Sequence, residues 1–272
     1  MSDDRLSACF ARCRDESRAA LVGYLTAGDP DPAVSEKLLH ALAGQVDVLE
    51  IGMPFSDPMA DGPVIQAASE RALAAGTRMN DVFRLAASVR AGYADIGIVL
   101  MGYANVVYAM GYTRFAERAA QAGVDGVLLV DIPPEEAGEL DAALKAEGIC
   151  SIRLLAPTSS PERRQLAAQS AGGFIYYVSL TGITGAQMGD MGEVQAQVSE
   201  IRKLTPLPIC VGFGVKTPEQ VRQVAAFADG VVVGSHFVTQ ITEHLADRSM
   251  MINAVAQAAS RMHSALEKGG SD

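Results

Sequence analysis

Tryptophan does not occur in this sequence, yet a hydrophobic content of 49% is ample for one large core. Basic residues are in deficit, with 22 Lys and Arg against 32 Asp and Glu and a formal net charge of −10. Nucleic acids and anionic membrane surfaces require clustered Lys and Arg, so neither is an expected partner. No apolar run approaches the roughly 20 residues that a bilayer-spanning helix needs. The opening Met1-Ser2-Asp3-Asp4 is acidic and polar, unlike a secretory or transit signal, and a cytoplasmic location is expected.

Cysteine is scarce as well. The four, Cys9, Cys13, Cys150 and Cys210, suit a reducing compartment. Cys9 and Cys13 lie four apart, but with Leu6 and Phe10 they have the 0, 3, 4, 7 spacing of an apolar helix face. No His or further Cys lies near to complete a metal site, so these thiols read as core, as do Cys150 and Cys210 beside strand-like runs. Of the four histidines, His40, His244 and His263 fall on predicted helices and His236 at a helix start. No His/carboxylate cluster has metal spacing, and no G-x-G-x-x-G follows a strand, so no metal or nucleotide cofactor is expected.

What the chain does have is a repeated α/β pattern. Eight short runs rich in Val, Ile and Leu read as parallel strands buried on both faces: 21–25, 46–51, 97–101, 126–130, 149–155, 174–178, 209–211 and 230–233. Helical patterns separate them. Asp31 with Pro32 starts one, whose face is Val34, Leu38, Ala41 and Leu42. An echo, Val46-Asp47-Val48, Val124-Asp125-Gly126-Val127 and Ala228-Asp229-Gly230-Val231, launches three of the strands and suggests a repeated unit. The 272 residues are close to the roughly 250 of a (β/α)8 TIM barrel. The expected fold is therefore α/β, one barrel domain over 1–272, with an extra N-terminal helix at 1–16, a short extra helix after strand 8 and a frayed end at 268–272. An open doubly wound sheet is the alternative.

In a parallel barrel, chemistry gathers at the C-terminal ends of the strands. The second strand-like run ends on Glu50, and a stiff Gly/Pro-punctuated loop then presents Ser56, Asp57 and Asp61. A Glu closing an apolar run is costly unless something pairs or uses it. The first strand delivers Tyr24 and Thr26-Ala27-Gly28-Asp29, the third Tyr103 and Asn105, the fourth Asp131-Ile132-Pro133. The sixth delivers Tyr176 or Tyr177, alternation not deciding which points inward, and then a lid-like run from Ser179 to Gly192. The last two strands end at Gly212-Phe213-Gly214 and Gly234-Ser235, with Ser235 able to cap a helix starting at His236. Bare amides and a helix start at these two strands suit a phosphate. Lys216, just beyond, reads as solvent-facing rather than as a Schiff-base lysine.

The segment Leu49-Glu50-Ile51-Gly52-Met53-Pro54-Phe55-Ser56-Asp57-Pro58-Met59-Ala60-Asp61-Gly62-Pro63 resembles the α-subunit family of tryptophan synthase. The likeness extends through Thr26-Ala27-Gly28-Asp29-Pro30, Met101-Gly102-Tyr103-Ala104-Asn105, Thr181-Gly182-Ile183-Thr184-Gly185 and Gly212-Phe213-Gly214-Val215. It implies retro-aldol cleavage of indole-3-glycerol phosphate to indole and glyceraldehyde 3-phosphate. It also implies an α2β2 tetramer, in which indole passes to a β chain that holds pyridoxal phosphate, with no cofactor in this chain. By position, Glu50 resembles the general acid/base, Asp61 the carboxylate at the indole N–H, and Tyr176 the tyrosine near the reacting centre. Tyr24, Ile65, Tyr103, Thr184 and Phe213 resemble substrate contacts, and Gly185, Gly214, Gly234 and Ser235 the phosphate-binding amides. Pro54, Asp57, Asn105 and Pro133 resemble contacts to the β chain. Tyr24 stands where phenylalanine is common, and Leu180 where some members carry a basic residue. A non-catalytic activating subunit would signal itself by losing Glu50 or Asp61, and both are present. Other sugar-phosphate lyases or isomerases on this fold often use metal-ligand histidines at strand ends, which are not found.

Overall fold

A computed structural model describes residues 5–178, 191–212 and 214–267. The chain opens with α1 (Arg5–Asp15), β1 (Ala20–Thr26), α2 (Pro32–Ala43) and β2 (Val48–Gly52). Two helices, α3 (Pro63–Ala74) and α4 (Met79–Gly92), lead to β3 (Gly97–Gly102), and α5 (Ala104–Met110) and α6 (Tyr112–Gln121) lead to β4 (Gly126–Leu129). A 3-10 turn (Pro134–Glu136) and α7 (Gly138–Ala146) precede β5 (Cys150–Ser151) and β6 (Arg153–Leu155). Then come α8 (Pro161–Ser170), β7 (Ile175–Val178), α9 (Met191–Arg202), β8 (Ile209–Gly212) and α10 (Pro218–Ala225). The last elements are β9 (Gly230–Val233), α11 (Ser235–Glu243) and α12 (Arg248–Ser264).

The strands pair in the order β5-β4-β3-β2-β1-β9-β8-β7-β6, all parallel. The two ends of this order, β5 and β6, flank Ile152 and are halves of the single fifth strand expected over 149–155, so nine strand segments make an eight-position, nearly closed barrel. The expected TIM architecture holds, with boundaries moved by a residue or two. The extra helix after the last strand is α11. Its cap position is Gly234, without a side-chain bond, and Ser235 is the first helical residue, a shift of one from the expected cap.

Helix starts follow local chemistry. Asp31 Oδ1 accepts from the amides of Ala33 (3.1 Å) and Val34 (3.0 Å), and Pro32 follows. Thr217 and Gln220 form a reciprocal capping box on α10. The apolar interior has two layers. A larger cluster fills the space between strands and helices, while a smaller one of Val22, Val48, Val99, Leu128, Ile152 and Tyr176 fills the barrel itself. Helix α1 closes the floor by inserting Leu6, Cys9, Phe10 and Cys13 into that inner cluster, as their spacing predicts.

The floor also explains the repeated Asp. Asp47 accepts from Arg18 through both oxygens (2.7 and 2.8 Å) and from the amide of Leu21 in β1 (2.8 Å). Asp125 accepts from Arg90 (2.5 Å), Arg5 (2.8 Å) and the amide of Ile98 in β3 (2.8 Å). Asp229 pairs with Arg202 (2.9 Å) and accepts from the amide of Ile209 in β8 (2.9 Å). Each acid precedes one strand and ties down the start of the strand before it, while an arginine neutralises it.

Candidate active site

At the opposite, C-terminal end of the strands lies a cavity of about 520 Å³. Tyr24, Glu50, Asp61, Ile65, Tyr176, Gly214, Gly234 and Ser235 all line it, so most of the residues picked out from sequence converge on one space. Tyr176 points into the barrel and Tyr177 into the outer layer, which resolves the pair that alternation left open. Thr184, Gly185, Leu180 and Phe213 lie outside the described residues.

Glu50 is central in β2, in register with Tyr24 of β1 and Val99 of β3. It is 1% exposed, and its Oε1 has no hydrogen-bond partner. Burial, reinforced by the charge of Asp61, pushes its carboxyl up to about 8. Asp61 reaches the cavity from the loop before α3. Gln66 Nε2, on that helix, donates to the Asp61 carbonyl (2.8 Å) and fixes the loop's course. Burial also raises Asp61, to about 6, against the pull of a hydrogen bond from the Tyr103 hydroxyl to Oδ2 (3.0 Å). Tyr103, expected to touch substrate, thus stands behind Asp61; its hydroxyl also accepts from the Ala60 amide (3.0 Å), and its ring lies 5.2 Å from Phe55. Neither Glu50 nor Asp61 forms an ion pair among the described residues. Burial also holds the Tyr24 and Tyr176 hydroxyls well above the usual phenol range, so both remain protonated donors.

Two glycines make room for these tyrosines. A Cβ at Gly52 would lie 2.1 Å from Tyr24 Oη, and one at Gly212 would lie 2.6 Å from Tyr176 Oη. Tyr24 Oη is 3.1 Å from Thr26 Oγ1. The loop after β1 is fastened to α3 by Arg71, which donates to both oxygens of buried Asp29 (2.7 and 2.8 Å).

Sequence reasoning did not pick out Val64, Val232, Lys216 or Thr239 as cavity-lining residues. Val232, two before Gly234, was accessible from strand alternation; Thr239, one turn after Ser235, from helical spacing. In the set resembling partner contacts, Asp57 and Asn105 are exposed, Pro133 is half-buried and Pro54 is buried. Met59 (83%) and Tyr108 (71%) are exposed apolar side chains on the neighbouring loop and α5 that sequence did not flag. Among the described residues, the group of metal-ligating types within 4.8 Å is Cys9, Cys13 and Asp47 on the floor, where the Asp47 carboxylate is already engaged by Arg18 and Leu21.

The family model described as tryptophan synthase alpha chain matches residues 10–267. A tryptophan synthase alpha chain of Rhizorhabdus wittichii is 51% identical over 241 residues, covering 88% of this chain and 89% of that one. One of Alkalilimnicola ehrlichii is 47% identical over 265 residues, 97% of each. The crystal structure of tryptophan synthase subunit alpha from Legionella pneumophila str. Paris superposes with a TM-score of 0.91 at 40% identity, covering 98% of this chain and 99% of that chain.

Proposed function

The chain belongs to the tryptophan synthase alpha chain family, and from that premise we propose that Glu50 and Asp61 divide the work of its reaction between them. The reaction is the lyase cleavage of indole-3-glycerol phosphate, carried out by a subunit that functions with a beta chain. The alpha chain carries no cofactor, and pyridoxal phosphate belongs to the beta chain.

Cleavage needs a proton delivered to indole C3, which leaves positive charge on the ring nitrogen. The glycerol hydroxyl then gives up its proton, its electrons form the aldehyde C=O, and the C–C bonding pair flows back to neutralise the ring. One proton enters and one leaves, so a single carboxyl can supply the first and take the second. With a pKa near 8, Glu50 is mostly protonated at neutral pH and starts as the acid. Asp61, near 6, is mostly ionised and suits the N–H and its developing charge. Environments that push two carboxyls apart in this way assign the acid and the anion. The observation that carries the reading is the buried, unpartnered Oε1 of Glu50 beside Asp61 in an otherwise largely apolar cavity.

Tyr24, Ile65 and Tyr176 line the space for the ring, and Tyr103 orients Asp61. Backbone amides of Gly214, Gly234 and Ser235, with the start of α11, suit the phosphate, and Thr184, Gly185 and Phe213 are assigned to the same pocket from sequence. Asp57, Asn105 and Pro133 form the beta-chain face, with Pro54 shaping the loop from its buried position. The subunit acts as one cytoplasmic barrel domain; no described helix is long and apolar enough to cross a membrane.

Two substrates and two proteins test the assignment: indole-3-glycerol phosphate and an analogue lacking the ring N–H, each with the parent and with Asp61→Asn, followed by indole-type product with and without beta chain. The Asp61→Asn penalty should fall chiefly on the N–H substrate. An equal penalty on both removes Asp61 from the ring nitrogen.

A further inference from the structure

The cavity is electrically lopsided. Glu50 and Asp61 occupy one part, whereas Lys216 is the one cationic residue among the described residues that line it. Its backbone is pinned: the Lys216 amide donates to Gln220 Oε1 (2.7 Å), which also accepts from Thr217 (3.1 Å) within the capping box of α10. The side chain is exposed and forms no ion pair among the described residues. Lys216 lines the same cavity as Gly214, two residues before it, and as Gly234 and Ser235 at the start of α11.

A phosphate dianion entering this space meets the negative field of Asp61. Backbone amides bond the phosphate oxygens but bring only partial charge. An exposed ammonium at the rim supplies a full opposing charge at longer range, and a cleft with low-dielectric walls focuses it. We propose that Lys216 is a specificity residue for the phosphorylated substrate, drawing the dianion to the amide end and favouring phosphate-bearing over unphosphorylated ligands. This rests on the phosphate end proposed above.

The test uses Lys216→Gln and Lys216→Arg in the assembled alpha–beta complex, with glycerol phosphate and glycerol as binding probes and indole-3-glycerol phosphate for turnover. Lys216→Gln should raise the glycerol phosphate Kd and the substrate KM about 3- to 10-fold at low ionic strength, with kcat unchanged and glycerol binding unmoved. The difference should shrink at about 0.5 M salt, where charges more than a few ångströms apart are screened. Lys216→Arg should restore the parent values. Parent affinity in Lys216→Gln, a loss that is independent of salt, or an Arg variant as weak as Gln would each overturn the role. If the parent itself binds glycerol phosphate no better than glycerol, the phosphate end is misassigned and the inference falls with it. A parent that discriminates while Lys216→Gln discriminates equally removes Lys216 alone.

Discussion

At the floor of the barrel Asp47 is gripped by Arg18 and by the amide of Leu21, while Glu50, three residues later in the middle of β2, is left with an unpartnered oxygen. The two acids are comparably buried, at 4% and 1% exposure. Burial raises both, but at Asp47 the guanidinium and the amide more than offset it and hold the carboxyl below its usual range. At Glu50 nothing offsets it, and the charge of Asp61 adds to the rise. Burial by itself therefore does not separate a structural acid from a reactive one; the identity of the partners does. Partnering makes a carboxylate inert and stabilising, and its absence leaves one ready to exchange a proton.

The sharpest way to break this contrast is Glu50→Gln. Shape is kept and proton transfer is lost, so turnover should fall by about 10²- to 10⁴-fold or more while substrate still binds. Near-parent turnover, measured as indole release, would put the acid–base role elsewhere. On the floor, Asp47→Ala strips the two-oxygen clasp from half-buried Arg18, which keeps Glu16 (2.8 Å), and leaves the buried Leu21 amide without its acceptor, a loss of about 1–3 kcal/mol of stability. Denaturant melts should show that loss, with kcat per folded molecule retained; a selective drop in kcat would join the two regions that the comparison separates.

Stability against pH should slope in opposite directions for the two acids. The folded carboxyl of Glu50 lies above its ordinary 4.5, so its contribution is fully present below 4.5 and is lost as pH rises through about 8. Asp47 lies below its ordinary 3.8, so its contribution is present above that value and lost as pH falls through the lower, folded one. Denaturant midpoints of Glu50→Gln and parent should therefore diverge between about pH 5 and 8, the variant gaining relative to the parent as pH rises. Parallel curves would mean that Glu50 is not held protonated. Asp57→Ala should have the smallest effect, reducing activation by beta chain more than any cleavage measured with the isolated chain. Equal loss of both would move Asp57 from the partner face into chemistry or folding.

Much of this arrangement could be read along the chain. The eight Val/Ile/Leu runs located the barrel because strands buried on both faces leave an uninterrupted apolar signature. Glu50 was visible because it breaks one of those otherwise apolar runs, although it falls in the middle of β2 and not at the expected end. The Asp of the echo was visible as a repeat but not as a clasp, since Arg18, Arg90 and Arg202 stand 29, 35 and 27 residues before their acids and meet them only in the folded sheet. Lys216 was set aside for a related reason: exposure and cavity lining coincide at a rim, and sequence position after a strand does not distinguish them. The bonds of Tyr103 to Ala60 and Asp61 could not be read, because they depend on how a 10-residue irregular loop folds back, which no periodicity encodes. Tyr176 and Tyr177 show the limit most simply, since two adjacent tyrosines fit either face of a strand until register is fixed.

The fit between Gly52 and Tyr24, and between Gly212 and Tyr176, bears on how the pocket can drift. With a Cβ at 52 only 2.1 Å from the phenol oxygen, and one at 212 only 2.6 Å from its counterpart and 3.0 Å from the Val232 Cβ, either glycine can be replaced only if its neighbours shift. The two positions of each pair are thereby coupled: the ring must shift, shrink or leave when the glycine changes. A library varying one position at a time should score both glycines as poorly tolerant. A library varying 24 with 52, or 176 with 212, would open pocket shapes that single steps starting at the glycine reach poorly.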